Sequence, residues 1–195
     1  MTPGSRARAH RGARNRQTRS SVPSWHGRRT AAPASFMRCF ADMAVVEVRI
    51  DVARSPEEVF EFVADRYFEN VRRWDRDLVE VTPLGDGVMG LGARAVEVRR
   101  EPLPRRGKRP VGRTVEVTVF DRPNELVLAG LDSRPGHDLY LTRWRFAPLG
   151  RRTRVRLRYQ VGLPFPFVLG TPIFKLRNHF DLKRRLRRLR DAIEG

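Results

Sequence analysis

Apolar and polar residues alternate along most of the chain after residue 43. Every second residue from Val46 to Val52 is apolar, and the residues between them are charged. This period of two predicts a strand with one buried face. The alternation is cleanest from Arg154 to Val161, where one face is apolar and the other is largely cationic. The chain therefore has a predicted first strand and a predicted last strand of the same half-buried kind.

Five further strands are predicted between these two. Valine-rich or aromatic runs are separated there by turn residues such as Asp121-Arg122-Pro123-Asn124. The predicted spans are Leu78–Thr82, Ala93–Arg100, Thr114–Asp121, Glu125–Leu131 and a strand with Tyr140, Thr142, Trp144 and Phe146 on one face. Six successive strands without an intervening helix favour an antiparallel meander.

Two short helices are predicted between the first and second strands. Ser55 has the residue type of an N-cap, Pro56 suits the first helical position, and Glu58 completes a capping box. A second short helix is expected over Tyr67–Trp74. Two short helices do not form a long crossover, so we expect them to cover one end of the sheet.

A long helix is predicted at the C-terminus, over about Pro172–Ile193. Its apolar residues near helical spacing are Leu176, Phe180, Leu186, Leu189 and Ile193. That stripe is expected to lie against the sheet. The predicted fold class is therefore α+β: a curved antiparallel sheet of about seven strands around a long C-terminal helix, which is the helix-grip arrangement.

The first 42 residues show no apolar periodicity. They contain nine arginines, no lysine and one acidic residue, Asp42. We interpret residues 1–42 as a disordered, arginine-rich extension and residues 43–195 as the helix-grip domain. An organelle-targeting segment and a twin-arginine signal at Arg28-Arg29 are alternatives. We favour a third explanation, that translation starts at Met43 or Met37.

The excess of basic residues bears on which classes of partner the chain attracts. The chain has 40 Lys+Arg against 22 Asp+Glu, for a net charge of +18. Such a charge attracts nucleic acid, anionic lipid and acidic proteins, but we favour a compositional preference for arginine as its explanation. No nucleic-acid recognition motif is present, so specific nucleic-acid binding is not expected. The oligomeric state is left open.

Cofactor and metal chemistry have little support in the sequence. One cysteine, Cys39, excludes a disulfide framework within the chain, and the four histidines lack metal-ligand spacing. The segment Gly85–Gly90 matches G-x-G-x-x-G, but a strand and not a helix follows it, so a turn is expected. We therefore predict no metal, no cofactor and no assigned catalytic residue.

Several short segments occur in an order typical of one protein family: Ser55–Phe60, Trp74, Gly90–Gly92, Pro123 before Leu126–Leu128, and Leu189 with Ile193-Glu194. Together they resemble the START/Bet v1-like (SRPBCC) superfamily, in particular its polyketide cyclase/dehydrase and lipid-transport branch. The resemblance extends from about residue 45 to the end of the chain. It implies that residues 43–195 are a ligand-binding domain with a deep, largely apolar cavity between the sheet and the long helix. Such a cavity is a common location for small-molecule sites.

We expect aromatic and amide side chains to line that cavity. The candidate ligand-binding residues are Trp74, Tyr140, Trp144, Phe146, Tyr159, Phe174 and Asn178. Indole and phenol groups buried there require hydrogen-bond partners, which a ligand can supply. The alternative is that they are ordinary core aromatics.

Three functions remain open. Binding or transport of a small hydrophobic, lipid- or polyketide-like molecule is favoured. The second is a cyclase or dehydratase that uses Tyr159, His179 or Glu97 as acid or base. The third is a peripheral protein of anionic membranes, which combines the apolar loop Leu163–Gly170 with the basic final helix. The expected location is cytoplasmic, with a peripheral membrane location as the alternative.

Overall fold

The computed structural model describes residues 43–102, 107–131, 140–162 and 171–195. Within these residues the chain forms seven strands and three α-helices, in the predicted order. The strands are β1 (Met43–Val52), β2 (Leu78–Leu84), β3 (Arg94–Pro102), β4 (Lys108–Asp121), β5 (Glu125–Leu131), β6 (Tyr140–Leu149) and β7 (Arg152–Gly162). The helices are α1 (Pro56–Phe60), α2 (Tyr67–Trp74) and α3 (Thr171–Glu194).

The strands form one antiparallel sheet in the order β1-β7-β6-β5-β4-β3-β2. Strands β2 to β7 are a meander, and β1 pairs along its whole length with β7, from Met43 opposite Gly162 to Val52 opposite Thr153. The register shifts between Val117 and Val119 of β4. Bulges of this kind bend a strand and increase its twist, which helps the sheet to curve. The predicted α+β helix-grip fold is confirmed.

Helix α1 begins at the predicted capping box. The backbone N–H of Glu58 donates to Ser55 Oγ at 3.3 Å, and the backbone N–H of Ser55 donates to Glu58 Oε2 at 2.9 Å. A π-helical turn, Glu61–Asp65, joins α1 to α2. The apolar faces of these short helices enter the core, because Val59, Phe60 and Val63 are fully buried.

Helix α3 packs on the sheet through a different stripe from the predicted one. Leu182, Leu186 and Leu189 are buried in the main core cluster, and Ile193 packs against it. The prediction that Leu176 and Phe180 belong to this stripe is wrong, since their exposures are 60% and 54%. With 3.6 residues per turn, Leu176 and Phe180 lie about 120° and about 160° around the helix axis from Leu182. They form an outward face instead.

Two predicted segments lie outside the described residues: the N-terminal extension, residues 1–42, and the apolar loop Leu163–Gly170. Among the helices that are described, none is both long enough and apolar enough to cross a membrane.

The capping box gives the first testable prediction. Ser55→Ala removes the acceptor of the Glu58 N–H, so we expect the free energy of unfolding to fall by about 1 kcal/mol. Urea denaturation of the full chain measures this value. Ser55→Asp keeps an acceptor and is the matched control, with stability close to that of the wild type. Equal stability of Ser55→Ala and the wild type would contradict a contribution of the cap.

Candidate functional site

A cavity of about 370 Å³ lies between the concave face of the sheet and the N-terminal half of α3. Its walls come from α2, from strands β3 to β7 and from α3. In the main core cluster, the buried residues of α3 begin at Leu182. Before that point Phe174 and Asn178 line the cavity, and Phe174 also packs against a second, smaller core cluster that contains Tyr140 and Val161.

Six of the seven candidate residues line this cavity. They are Trp74, Tyr140, Trp144, Tyr159, Phe174 and Asn178. The candidate Phe146 lies outside the lining and packs in the core, with its ring 5.5 Å from that of Phe60. Phe146 shares its face of β6 with Trp144, but it lies two residues further along the strand, where α1 covers the sheet. Its assignment to the cavity is therefore corrected.

One wall of the cavity is apolar and aromatic. Trp144 and Trp74 contact each other edge to face, with ring centroids 5.3 Å apart, and both are almost fully buried. Leu128, Val161 and Leu182 continue this wall. Aromatic and aliphatic surface of this kind favours a flat or compact hydrophobic molecule.

The opposite wall is polar, which corrects the expectation of a largely apolar cavity. Glu97, Arg99 and Glu101 of β3 share one face of their strand and all line the cavity. Arg113 of β4 lies opposite Glu97 and binds Glu101 at 2.7 Å. Sequence reasoning named Glu97 of this wall as a candidate acid or base, but it did not single out Arg99, Glu101 or Arg113.

The polar wall is part of a buried ionic network. Glu97 accepts a very short hydrogen bond from the Tyr67 hydroxyl and a 2.7 Å bond from Arg99 Nε. Arg99 Nη1 donates to Asp75, and Arg185 of α3 lies 3.4 Å from the same carboxylate. Asp75 and Glu97 are 2% and 1% exposed. Each buried carboxylate of the described residues therefore has a cationic partner.

The network fixes the protonation of its members. Burial, together with the Glu97 carboxylate, raises the pKa of Tyr67 well above its ordinary value, so the phenol keeps its proton and donates. Burial alone would raise the pKa of Asp75. The neighbouring Arg185 and Arg99 outweigh that effect and hold the pKa of Asp75 below its ordinary value. The carboxylate of Asp75 is therefore ionised at neutral pH.

Two polar atoms of the cavity wall lack a hydrogen-bond partner within the described chain. They are Trp74 Nε1 and the Tyr140 hydroxyl, on residues that are 1% and 7% exposed. Buried polar groups without partners are rare in proteins and each one costs free energy. Both belong to residues that line the cavity, but the two atoms themselves are buried in its wall.

The position of the Tyr140 ring depends on Gly130. A Cβ atom at Gly130 would lie 2.2 Å from Tyr140 Cε1, well inside contact distance. The ring thus lies directly over the glycine backbone of β5. Tyr159 lies on its other side, with ring centroids 6.0 Å apart, and the guanidinium of Arg113 is 5.7 Å from the ring centre. These contacts hold the phenol in the cavity wall.

The acid–base candidates are not assembled into one group. Glu97 and Tyr159 line the cavity, but Glu97 is already bound by Tyr67 and Arg99. His179 is half-buried on α3, contacts Phe180, and lies outside the lining. No cluster of metal-ligating side chains occurs among the residues that the structure describes.

A family model described as "Polyketide cyclase / dehydrase and lipid transport" matches residues 43–194. The match begins where β1 begins and ends at the last residue of α3. Among curated proteins, no relative matches the chain.

Solved structures share the fold at low sequence identity. TTHA0849 from Thermus thermophilus is 18% identical, with a TM-score of 0.58, covering 76% of this chain and 96% of that one. A norcoclaurine synthase point mutant from Thalictrum flavum, in complex with a transition-state analogue, is 13% identical, with a TM-score of 0.59 and coverage of 77% and 94%. The di-domain ARO/CYC protein BexL, from the BE-7585A biosynthetic pathway, is 14% identical, with a TM-score of 0.61 and coverage of 79% and 51%.

The close approach at Gly130 gives the second prediction. Gly130→Ala should lower the free energy of unfolding by about 1–3 kcal/mol, because the new methyl group forces the Tyr140 ring to move. In a Tyr140→Ala background the same change should cost nothing, since the ring is gone. Urea denaturation of the two single variants and the double variant measures the coupling. Gly112→Ala is the control, because a Cβ there meets open space. Equal costs in both backgrounds would contradict the contact.

Proposed function

The chain belongs to the polyketide cyclase/dehydrase and lipid-transport family, and from this membership we propose that its cavity binds a small, predominantly hydrophobic molecule. The space of about 370 Å³ between the sheet and α3 carries the proposal. It is bounded by the Trp74–Trp144 pair and by aliphatic side chains, and it is large enough for two or three fused rings. The substrate of any catalysed step would occupy the same space.

Binding without chemistry is favoured over proton transfer by the hydrogen bonds of Glu97. A general base needs a free lone pair within reach of the substrate proton. Here one carboxylate oxygen already accepts from the Tyr67 hydroxyl and the other from Arg99 Nε, so both oxygens are engaged within the protein. A raised pKa makes the Tyr67 phenol a poor acid. These groups order the cavity wall and position a ligand.

A neutral fluorescent probe tests the proposal. N-phenyl-1-naphthylamine becomes bright in apolar sites, and we expect saturable binding with one probe per chain. Leu128 lies in the cavity wall, so Leu128→Trp fills space that the probe needs and should weaken binding at least tenfold. The measurement is a fluorescence titration at fixed protein concentration.

The matched control is Leu149→Trp, which adds the same side chain at an exposed position of β6. It should leave probe affinity unchanged. Binding that is equally tight in Leu128→Trp and in the wild type would place the probe elsewhere and contradict the proposal. Circular dichroism of both variants checks that they are folded.

A second candidate function, attachment to an anionic membrane, is favoured by the outer face of α3. Ile173, Leu176 and Phe180 are exposed by 76%, 60% and 54% and lie within two turns of each other. Lys183 and Arg187 extend the same face toward the C-terminus. At 1.5 Å per residue, Ile173 and Arg187 are about 21 Å apart along the axis.

This order of apolar and basic residues suits the surface of an anionic bilayer. Apolar side chains enter the boundary between headgroups and acyl chains, and lysine and arginine remain near the phosphates. The cavity lies under the same half of α3, where Phe174 and Asn178 face inward. Attachment by this face would therefore bring the cavity close to a source of hydrophobic molecules.

Cosedimentation with vesicles tests this second candidate. We expect the full chain to bind vesicles of phosphatidylcholine with phosphatidylglycerol more strongly than phosphatidylcholine alone. Leu176→Ser with Phe180→Ser should reduce binding to both, because apolar burial is lost. Lys183→Glu with Arg187→Glu should remove the preference for the anionic vesicles. Leu84→Ser with Leu149→Ser, two exposed leucines elsewhere, is the control. No binding to either vesicle would rule out the membrane function.

A further inference from the structure

The face of the sheet that points away from α3 is strongly basic on strands β1, β7 and β6. Successive side chains of a strand point to opposite faces, so the residues between the buried apolar ones form this outward face. Its central positions on the three strands are arginines, which we call together the arginine face: Arg49 of β1, Arg143 and Arg145 of β6, and Arg154, Arg156 and Arg158 of β7.

Arginines of this face lie directly opposite one another across the strands. Arg156 is the register partner of Arg49 on one side and of Arg145 on the other. Arg158 lies opposite Arg143 in the same way. Like charges in directly opposite positions destabilise a sheet. The stability of the fold therefore does not explain why arginines occupy these positions, and a ligand of opposite charge does.

The margins of the arginine face are partly neutralised by acidic residues. Arg154 Nε lies 2.8 Å from the carboxylate of Asp51. The carboxylate of Glu125 on β5 lies 3.0 Å from Arg143 and 3.4 Å from Arg145. One carboxylate is thus shared by two arginines, so positive charge remains in excess there.

The centre of the face lacks such partners. Arg49, Arg156 and Arg158 form no ion pair within the part of the chain that the structure describes, although Glu47 lies opposite Arg158 in the register. Arg49 and Arg156 are exposed. Adjacent strands lie about 4.8 Å apart, and alternate residues of one strand lie about 6.7 Å apart. The side chains therefore leave the sheet as a closely spaced array that can contact several phosphates of one polyanion.

We propose that the arginine face binds double-stranded DNA through its phosphates, without regard to base sequence. Guanidinium groups bind phosphate oxygens in a bidentate manner. Single-stranded nucleic acid is held by aromatic side chains that stack on its bases, and the outward face of these three described strands has none. Recognition of duplex RNA uses its 2′-hydroxyl groups, for which Gln160 is the one uncharged polar side chain on the same face.

A lipid surface fits the arginine face less well than it fits α3. Attachment to a bilayer needs apolar side chains that enter the boundary below the headgroups. On β1, β6 and β7, all within the described chain, the large exposed apolar residue is Leu149, at the end of β6. Leu176 and Phe180 lie on α3, which packs against the other face of the sheet. The two surfaces are therefore separate and can be tested independently.

Fluorescence anisotropy with a labelled DNA duplex of about 20 base pairs tests the proposal, using the full chain at several KCl concentrations. One variant combines Arg49→Gln, Arg145→Gln and Arg156→Gln. We expect its duplex affinity at low salt to be at least tenfold weaker than that of the wild type. The slope of log affinity against log salt should become less steep by about 2–3, as expected for three lost phosphate contacts.

A single substitution and the melting temperature keep this test independent of folding. The triple variant removes like charges that face one another, so its melting temperature should equal or exceed that of the wild type. Arg156→Gln alone, at the centre of the face, should reduce the salt slope by about 1. An unchanged slope in Arg156→Gln would contradict the proposal whether or not the triple variant folds.

The matched control combines Arg66→Gln, Arg72→Gln and Arg76→Gln. It removes the same charge from exposed positions in and beside α2, away from the arginine face, and should keep the wild-type salt slope. Equal losses in the two triple variants would assign binding to overall charge and overturn the proposal, as would failure of the wild type to bind the duplex. Tighter binding of an RNA duplex would also overturn it. So would an arginine-face variant that loses binding to phosphatidylglycerol vesicles but keeps its affinity for DNA.

Discussion

Asp75 lies where α2, β3 and α3 meet, and its buried carboxylate binds the guanidinium groups of Arg99 and Arg185. A buried charge without its partners typically costs about 3–5 kcal/mol. The network therefore sets where the three elements stand relative to one another. Because Arg99 also holds Glu97, which accepts from Tyr67, the same contacts shape the polar wall of the cavity.

The leucines of α3 add apolar packing to the ion pairs that connect this helix to Asp75. Leu182, Leu186 and Leu189 hold the C-terminal half of the helix in the core, whereas the N-terminal half extends over the cavity. A straight helix does not follow a curved sheet along its full length, so the gap appears where the leucine stripe ends. Leu176 and Phe180 lie on the outward face of the N-terminal half. They stay exposed because the burial of Leu182 fixes which side of the helix faces the core.

The cavity is amphipathic because strands with different patterns contribute to it. β6 and β7 present Trp144, Tyr159 and Val161 inward, as their clean alternation predicted. β3 presents Glu97 and Arg99 inward and leaves Val96 half-exposed on the other face. The buried carboxylate of Glu97 is tolerated there because Tyr67 and Arg99 donate hydrogen bonds to its two oxygens. Trp74 Nε1 and the Tyr140 hydroxyl have no hydrogen-bond partner among the described residues.

The sequence by itself determined the order of elements, the capping box at Ser55 and Glu58, and the inward face of β6 and β7, because these depend on local periodicity and on contacts within a few residues. It also identified most of the aromatic lining, with Phe146 as the exception. Only the tertiary structure decided the inner face of β3, the helical stripe of α3 and the pairing of Asp75 with Arg99 and Arg185. These depend on residues far apart in the chain: Arg99 is 24 residues from Asp75. The local hydrophobic periodicity of a sequence does not show which distant side chain will form an ion pair with a buried charge.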